Sequence, residues 1–122
     1  MKNDNAIAEK SKQFALRIIR LYQFLQTEKH EYVLARQVLR SGTSIGANVR
    51  EAKRGQSRAD FYTKLTIALK EADETAYWLE LLHESGYLDA AMFDSLCQDC
   101  EELMRLLTSI TKTIRESDNT DQ

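Results

Sequence analysis

The chain contains no proline and only four glycines in 122 residues. Proline breaks a helix interior and glycine weakens it, so a chain poor in both is expected to form long helices. No apolar run approaches the ~18 residues that span a bilayer, and the first residues lack the apolar stretch of a signal peptide. Only two cysteines are present. We therefore expect a cytoplasmic protein with reduced thiols and no membrane association.

Charge is segregated along the chain, although the net charge is only −2. Residues 36–70 contain eight Lys or Arg residues and two acidic ones. Residues 71–102 contain ten Asp or Glu residues and no Lys or Arg. The near-neutral total gives no general signal for nucleic-acid binding. The segregation nevertheless predicts a basic region and an acidic region on the folded molecule.

Apolar residues recur at helical spacing in four segments of a chain whose length suits one domain. These segments predict helices over about residues 6–27, 31–54, 58–85 and 90–115, followed by a polar and disordered tail, 116–122. The third segment holds a heptad repeat in Phe61, Leu65, Ala68, Ala72, Thr75, Leu79 and Leu82. Since the links are short, the sequence predicts an all-α fold, an up-down-up-down left-handed four-helix bundle.

The second predicted helix carries a face that is too wide for one seam of a bundle. One stripe consists of Leu34, Val38, Ser41, Ile45, Asn48 and Ala52, and a second lies one residue further on. Gly42 and Gly46 each cost about 1 kcal/mol relative to Ala, so we expect another backbone to approach closely there. A local kink is the alternative. We predict an oligomer interface at Leu39, Gly42, Gly46, Val49 and Trp78.

Polar residues interrupt the facing stripes of the second and third helices. We expect an internal polar layer that fixes the register of the two helices, formed by Arg40, Ser41, Asn48, Glu71 and Glu74. Within it, Glu71 and Glu74 are expected to pair with Arg40 or to bond to Asn48 and Ser41. The link between these helices is short because Gly55 suits a helix end and Ser57 suits the next N-cap.

Antiparallel helices convert the charge segregation into two poles. The predicted basic pole collects Lys2, Lys10, Lys12, Arg50, Lys53, Arg54, Arg58, Lys112 and Arg115. The predicted acidic pole collects Glu28, Glu31, Glu80, Glu84, Asp89 and Asp94. Arg50, Lys53, Arg54 and Arg58 would contact phosphates without reading base sequence. The alternative is a solvated end whose cations complement helix C-termini.

No set of residues predicts catalysis, a metal or a cofactor. Cys97 and Cys100 form a CxxC inside a helix, and we interpret them as structural thiols. His30 and His83 are expected at the acidic pole, and a metal site there is a minor alternative. The single Glu80-x-x-His83 pair does not supply the two such motifs of a di-iron bundle.

The runs LRSGTSIGANVREAKR and FYTKLTIALKEADETAYWLELL resemble a family of four-helix bundles encoded by intervening sequences in bacterial 23S rRNA genes, also called the S23 ribosomal protein family. The matching positions are Arg40, Ser44, Ile45, Asn48, Glu51, Phe61, Lys64, Ala68, Glu71, Glu74 and Leu79. Ala52 departs from the pattern, because many relatives carry Gly there. The resemblance implies a left-handed bundle that forms a homopentamer without enzymatic activity. It also implies a relation to accessory proteins of diversity-generating retroelements, which bind nucleic acid and a reverse transcriptase.

Three functional hypotheses follow from the sequence. The leading one is a non-enzymatic, oligomeric bundle whose basic pole contacts structured RNA or another nucleic acid. The second is a protein–protein scaffold or accessory subunit that binds no nucleic acid directly. The third, a metal- or thiol-dependent enzyme, rests only on the isolated residues named above.

Overall fold

The computed structural model describes residues 2–120, with side chains from Asn5 to Asp118. Its helices are α1 (Lys2–Thr27), α2 (Val33–Lys53), α3 (Arg58–Glu84) and α4 (Ala90–Thr120). No strand occurs among the described residues. The all-α prediction is confirmed.

The four helices form a closed ring of neighbours. Helix α2 packs against α1 and α3, while α4 packs against α3 and α1. Across the described residues, no Cα atoms of the diagonal pairs α1–α3 and α2–α4 come within 8 Å of each other. Because each short link reverses the chain direction, this arrangement is an up-down-up-down four-helix bundle, as predicted.

The core of the bundle consists of the apolar stripes that the sequence predicts. Helix α1 contributes Ile7, Phe14, Ile18, Leu21 and Leu25, all buried. The heptad positions of α3 are buried from Leu65 to Leu82. Helix α4 contributes Leu96, Cys100, Leu103, Leu107, Ile110 and Ile114. No helix in the described part of the chain combines the length and apolarity needed to cross a bilayer.

Helix α3 has a side-chain cap at its N-terminus and a left-handed residue after its C-terminus. The Ser57 hydroxyl accepts a hydrogen bond from the Asp60 amide at 3.0 Å, which caps α3. Gly86 has φ 90°, and the Tyr87 amide donates to the Leu82 carbonyl at 2.9 Å, which together close the C-terminus of α3. The predicted cap at Ser57 is present, whereas Gly55, the predicted helix end, follows α2 without a positive φ.

The ends of the first and last helices extend beyond the predicted bounds. Helix α1 begins at Lys2 rather than near residue 6, and α4 continues to Thr120 rather than ending near 115. Polar residues 116–120 are therefore helical, contrary to the expectation of a disordered tail, while 121–122 lie outside the described residues. The Lys2 side chain also lies outside them.

The start of α2 is later than predicted. His30 adopts φ 52°, which interrupts the helical backbone, and α2 begins at Val33 rather than near residue 31. The Glu31 carboxylate instead accepts a hydrogen bond from the Ala35 amide at 2.8 Å. One of the otherwise unpaired amides of the first turn is thereby satisfied.

Candidate nucleic-acid interface

The second stripe of α2, which contains Gly42 and Gly46, faces α1 of the same chain. A Cβ added to Gly42 would lie 2.8 Å from Cγ1 of Ile18, and one added to Gly46 would lie 3.4 Å from the Ser11 carbonyl oxygen. The close helix approach predicted from the two glycines is therefore present at Gly42, whereas the distance at Gly46 is near that of an ordinary van der Waals contact. The close approach is made by α1 and not, as expected, by a second subunit.

This packing changes the set of residues available to an oligomer interface. Gly42 and Val49 are buried within one chain. They cannot contact another subunit, because the chain's own core already covers them. Gly46, Leu39 and Trp78 are half-buried, and for these three the interface remains a prediction.

One polar pair lies at the centre of the α2–α3 seam. The hydroxyl groups of Ser41 and Thr75 are 2.8 Å apart, and both side chains are fully buried. The Thr75 hydroxyl also lies 2.8 Å from the Glu71 carbonyl oxygen. Since a buried hydroxyl without a partner is costly, this pair favours one register of α2 against α3.

The rest of the predicted polar layer lies at the edge of the seam rather than inside it. Arg40 is 51% exposed and pairs with the carboxylates of Glu71, at 3.2 Å, and Glu74. The Trp78 indole donates to Glu74 at 2.9 Å. Asn48 bonds to the Ser44 carbonyl of its own helix at 2.8 Å and not to either carboxylate. Arg40 is long enough to reach solvent, so the layer is only partly internal.

The four predicted phosphate ligands are exposed around the α2–α3 turn. Arg58 donates to Asp118 at 2.8 Å, and Lys53 donates to Asn5 at 3.5 Å. The side chains of Arg50 and Arg54 make no hydrogen bond or ion pair with any described residue. The structure brings the four cations to one end of the bundle, but the last turns of α4 neutralise Arg58.

A large open groove borders this cluster on the side of α1. Its volume is about 1140 Å³, and it lies mainly between α1 and the C-terminal half of α2. Five cations and one carboxylate line it: Lys12, Arg50, Lys53, Arg54, Lys64 and Glu51. Glu51 lies 3.8 Å from Lys64. The groove is therefore a concave and predominantly positive surface.

Small residues form the floor of the groove. Ser11 and Ala15 of α1 lie opposite Gly46 and Ala47 of α2. Large side chains usually fill the space between adjacent helices, but none of these four residues can do so. The recess exists because the small residues are paired across the α1–α2 seam.

The sequence predicts Lys12 at the basic pole without placing it near Arg50, and it gives Lys64 only as a position of the family resemblance. The groove joins both to the α2 cations. Gly46 is the sequence feature that could have indicated this groove, but the backbone expected to approach Gly46 was that of another subunit.

Other members of the predicted basic pole are partly neutralised. Lys10 pairs with Glu102 at 3.1 Å along the α1–α4 seam. In the same seam Arg17, which lies outside the predicted pole, pairs with Asp99 at 2.6 Å. Lys112 and Arg115 are exposed on α4. Positive charge at this end therefore lies on α4 as well as on the α1–α2 side.

The two thiols are poorly suited to redox or nucleophilic chemistry. Burial, followed by nearby negative charge, raises the pKa of the Cys100 thiol to about 12, and its Sγ lies 3.3 Å from the Ala72 carbonyl oxygen. Burial and the carboxylates of Glu101, Asp94 and Glu80 raise the pKa of Cys97. A reactive CxxC needs the opposite shift.

The two histidines are held in different ways. His83 stacks on Phe93 with ring centroids 4.3 Å apart, and its Nδ1 lies 3.0 Å from the Leu88 carbonyl oxygen. His30 is exposed. Within the described residues, no group of three or more His, Cys, Asp or Glu side chains is placed to hold a metal ion.

Comparisons with known proteins agree with this architecture. One solved structure is that of a protein with unknown function from the S23 ribosomal protein family of Bacteroides thetaiotaomicron. It shares 55% sequence identity and a TM-score of 0.89, over 90% of this chain and 98% of the other. No curated protein matches the chain. A family model described as "23S rRNA-intervening sequence protein" matches residues 3–109, and the chain belongs to that family.

Proposed function

We propose that the protein is a non-enzymatic, oligomeric helical bundle that binds structured RNA or another nucleic acid through Arg50, Lys53, Arg54 and Arg58. The observation that carries the proposal is the exposure of Arg50 and Arg54 without a partner among the described residues. Unpaired cations at one end of a bundle offer charge to phosphate groups, which release condensed counterions on binding.

The expected mode of binding is contact with the sugar-phosphate backbone. The charged side chains extend from α2, the α2–α3 turn and the first residue of α3, so they can follow phosphates along one edge. Net protein charge is −2, hence the affinity depends on the local cluster and not on a general attraction. The acidic remainder of the surface would disfavour nonspecific coating of the protein by RNA.

The test is the salt dependence of RNA binding, measured by fluorescence anisotropy with a labelled RNA hairpin. With about four phosphate contacts, the affinity should fall roughly 50- to 150-fold between about 50 and 200 mM salt. Replacing Arg50, Lys53, Arg54 and Arg58 with Gln should abolish most of this dependence.

A matched control is available on the same molecule. Arg20, Arg36, Lys70 and Arg105 are also exposed, and they have the same numbers of Arg and Lys. Their replacement with Gln changes net charge equally and should leave affinity nearly unchanged. Binding that is insensitive to salt, or equally weakened by both sets, would refute the proposal.

A protein scaffold is the second candidate, and exposed apolar side chains outside the basic cluster favour it. Val33 and Tyr77 are 65% and 54% exposed, and Trp78 packs against Tyr77 with ring centroids 5.3 Å apart. Exposed aromatic residues are common anchors of protein interfaces. A homopentamer remains the expected assembly. Light scattering of wild type and Tyr77→Glu should show whether this surface holds subunits together, with an unchanged mass arguing against it.

A further inference from the structure

We propose that the groove between α1 and α2 holds one single strand of nucleic acid, with Lys12 and Lys64 as phosphate ligands beside Arg50 and Arg54. This inference rests on the proposed function and specifies its ligand. It moves the centre of binding away from Arg58, which Asp118 already neutralises, and towards the recess along α1.

The length of the groove suits a short stretch of one stacked strand. Its lining runs along α2 from Thr43 to Arg54, a rise of roughly 17 Å at 1.5 Å per residue. At ~3.4 Å per nucleotide of a stacked strand, this length holds about five nucleotides. Several phosphates can therefore lie within reach of the lining cations at once.

The shape of the groove selects against a duplex. Adjacent packed helices have axes roughly 8–10 Å apart, so the recess between them is narrow. A double helix presents a convex surface wider than this and would touch only the rim. A single backbone can approach the floor closely, because Ser11, Ala15, Gly46 and Ala47 carry small side chains or none.

The charge distribution also favours a polyanion that enters the recess. Lys12 lies on α1, Arg50 on α2 and Lys64 on α3, so cations approach the groove from three helices, and Arg54 follows directly after α2. The side chains of Lys12, Arg50 and Arg54 have no hydrogen-bond or ion-pair partner among the described residues. A strand that lies in the groove would meet these charges along its length.

The composition of the lining predicts little base specificity. None of the described residues that line the groove is aromatic, and base stacking on aromatic rings is the usual source of added affinity for single strands. Recognition would then depend on phosphate charge and backbone shape. We expect uridine and adenosine oligonucleotides of equal length to bind with similar affinity.

The experiment compares a labelled single-stranded uridine RNA of about ten nucleotides with a blunt RNA duplex of about ten base pairs. The central variant is Ala47→Glu, which places a carboxylate on the exposed floor. Ala47→Gln is the matched control, because it has nearly the same size without the charge. Both residues favour helices, and thermal unfolding confirms that each variant folds.

The single strand should bind wild type at least about tenfold more tightly than the duplex. Ala47→Glu should weaken that binding at least about tenfold, because a like charge near the phosphates costs more than ~1.4 kcal/mol. Ala47→Gln should have a much smaller effect. Lys12→Gln should weaken the single strand more than Arg58→Gln does.

Three other outcomes would overturn the inference in distinguishable ways. If the duplex binds as tightly and Ala47→Glu has no effect, while the variant lacking the four turn cations loses binding, the proposed function survives without the groove. If neither RNA binds, the proposed function itself fails. If Ala47→Glu changes the subunit number by light scattering without changing RNA affinity, another copy of the chain occupies the groove.

Discussion

The two glycines of α2 give opposite predictions for the same substitution. In Gly42→Ala, the new methyl group would lie 2.8 and 2.9 Å from the two γ-carbons of Ile18, which is fully buried. These carbons are close to the α1 backbone and cannot swing away, so the two helices must separate. Overpacking of this kind costs about 1–3 kcal/mol, against a helix-propensity gain of about 1 kcal/mol.

Gly46→Ala makes the matched control, because its methyl group would lie 3.4 Å from the nearest atom, the Ser11 carbonyl oxygen. That distance requires little or no movement, so most of the ~1 kcal/mol gain in helix propensity should remain. We expect Gly46→Ala to be neutral or stabilising and Gly42→Ala to be less stable by about 1–3 kcal/mol than Gly46→Ala.

Urea unfolding at one fixed protein concentration measures this difference, since assembly would make stability depend on concentration. Ile18→Ala removes the two γ-carbons that the Gly42 methyl group would meet. The double variant Gly42→Ala/Ile18→Ala should therefore be more stable than the two separate losses predict, by about 0.5–3 kcal/mol. Equal stability of the two glycine variants, or no coupling to Ile18, would refute the packing argument.

Two further predictions concern buried polar groups. Thr75→Val should lower the free energy of unfolding by about 1–3 kcal/mol, because it leaves the buried Ser41 hydroxyl without its partner, and adding Ser41→Ala should recover part of the loss. Cys100 should make stability fall as pH rises from about 9 to 12, since the unfolded thiol loses its proton near pH 9.0 and the folded one near 12. Denaturant unfolding at several alkaline pH values should show a smaller fall in the free energy of unfolding for Cys100→Ala than for wild type. Equal falls in the two proteins would contradict the assignment of this pH dependence to Cys100.

The regular parts of the fold could be predicted because the sequence is locally consistent. The heptad of α3 agrees with the N-cap at Ser57 and the left-handed Gly86, so the apolar repeat and the helix-end residues predict the same helix. Nothing comparable marks the ends of α1 and α4. Residues 116–118 have no apolar period, and their helix is accompanied by the contact between Arg58 and Asp118, which is distant in sequence.

The candidate site was harder to predict because it depends on which helix covers which stripe. Two adjacent stripes on α2 indicate two neighbours, and in a four-helix ring both neighbours can belong to the same chain. The sequence alone does not distinguish α1 from a second subunit as the partner of Gly42. With α1 as the partner of Gly42, Ser11 and the next residue, Lys12, both line the groove.

Stability and binding place different demands on the α1–α2 seam. Gly42 allows the helices to approach closely against Ile18, and a larger residue there should weaken the fold. One turn further along, Gly46 and Ala47 lie at the recess, where added atoms meet little or nothing in the core. A change at Ala47 can therefore alter binding without altering packing. Because the two effects separate within six residues of one helix, variants here can test the groove without unfolding the bundle.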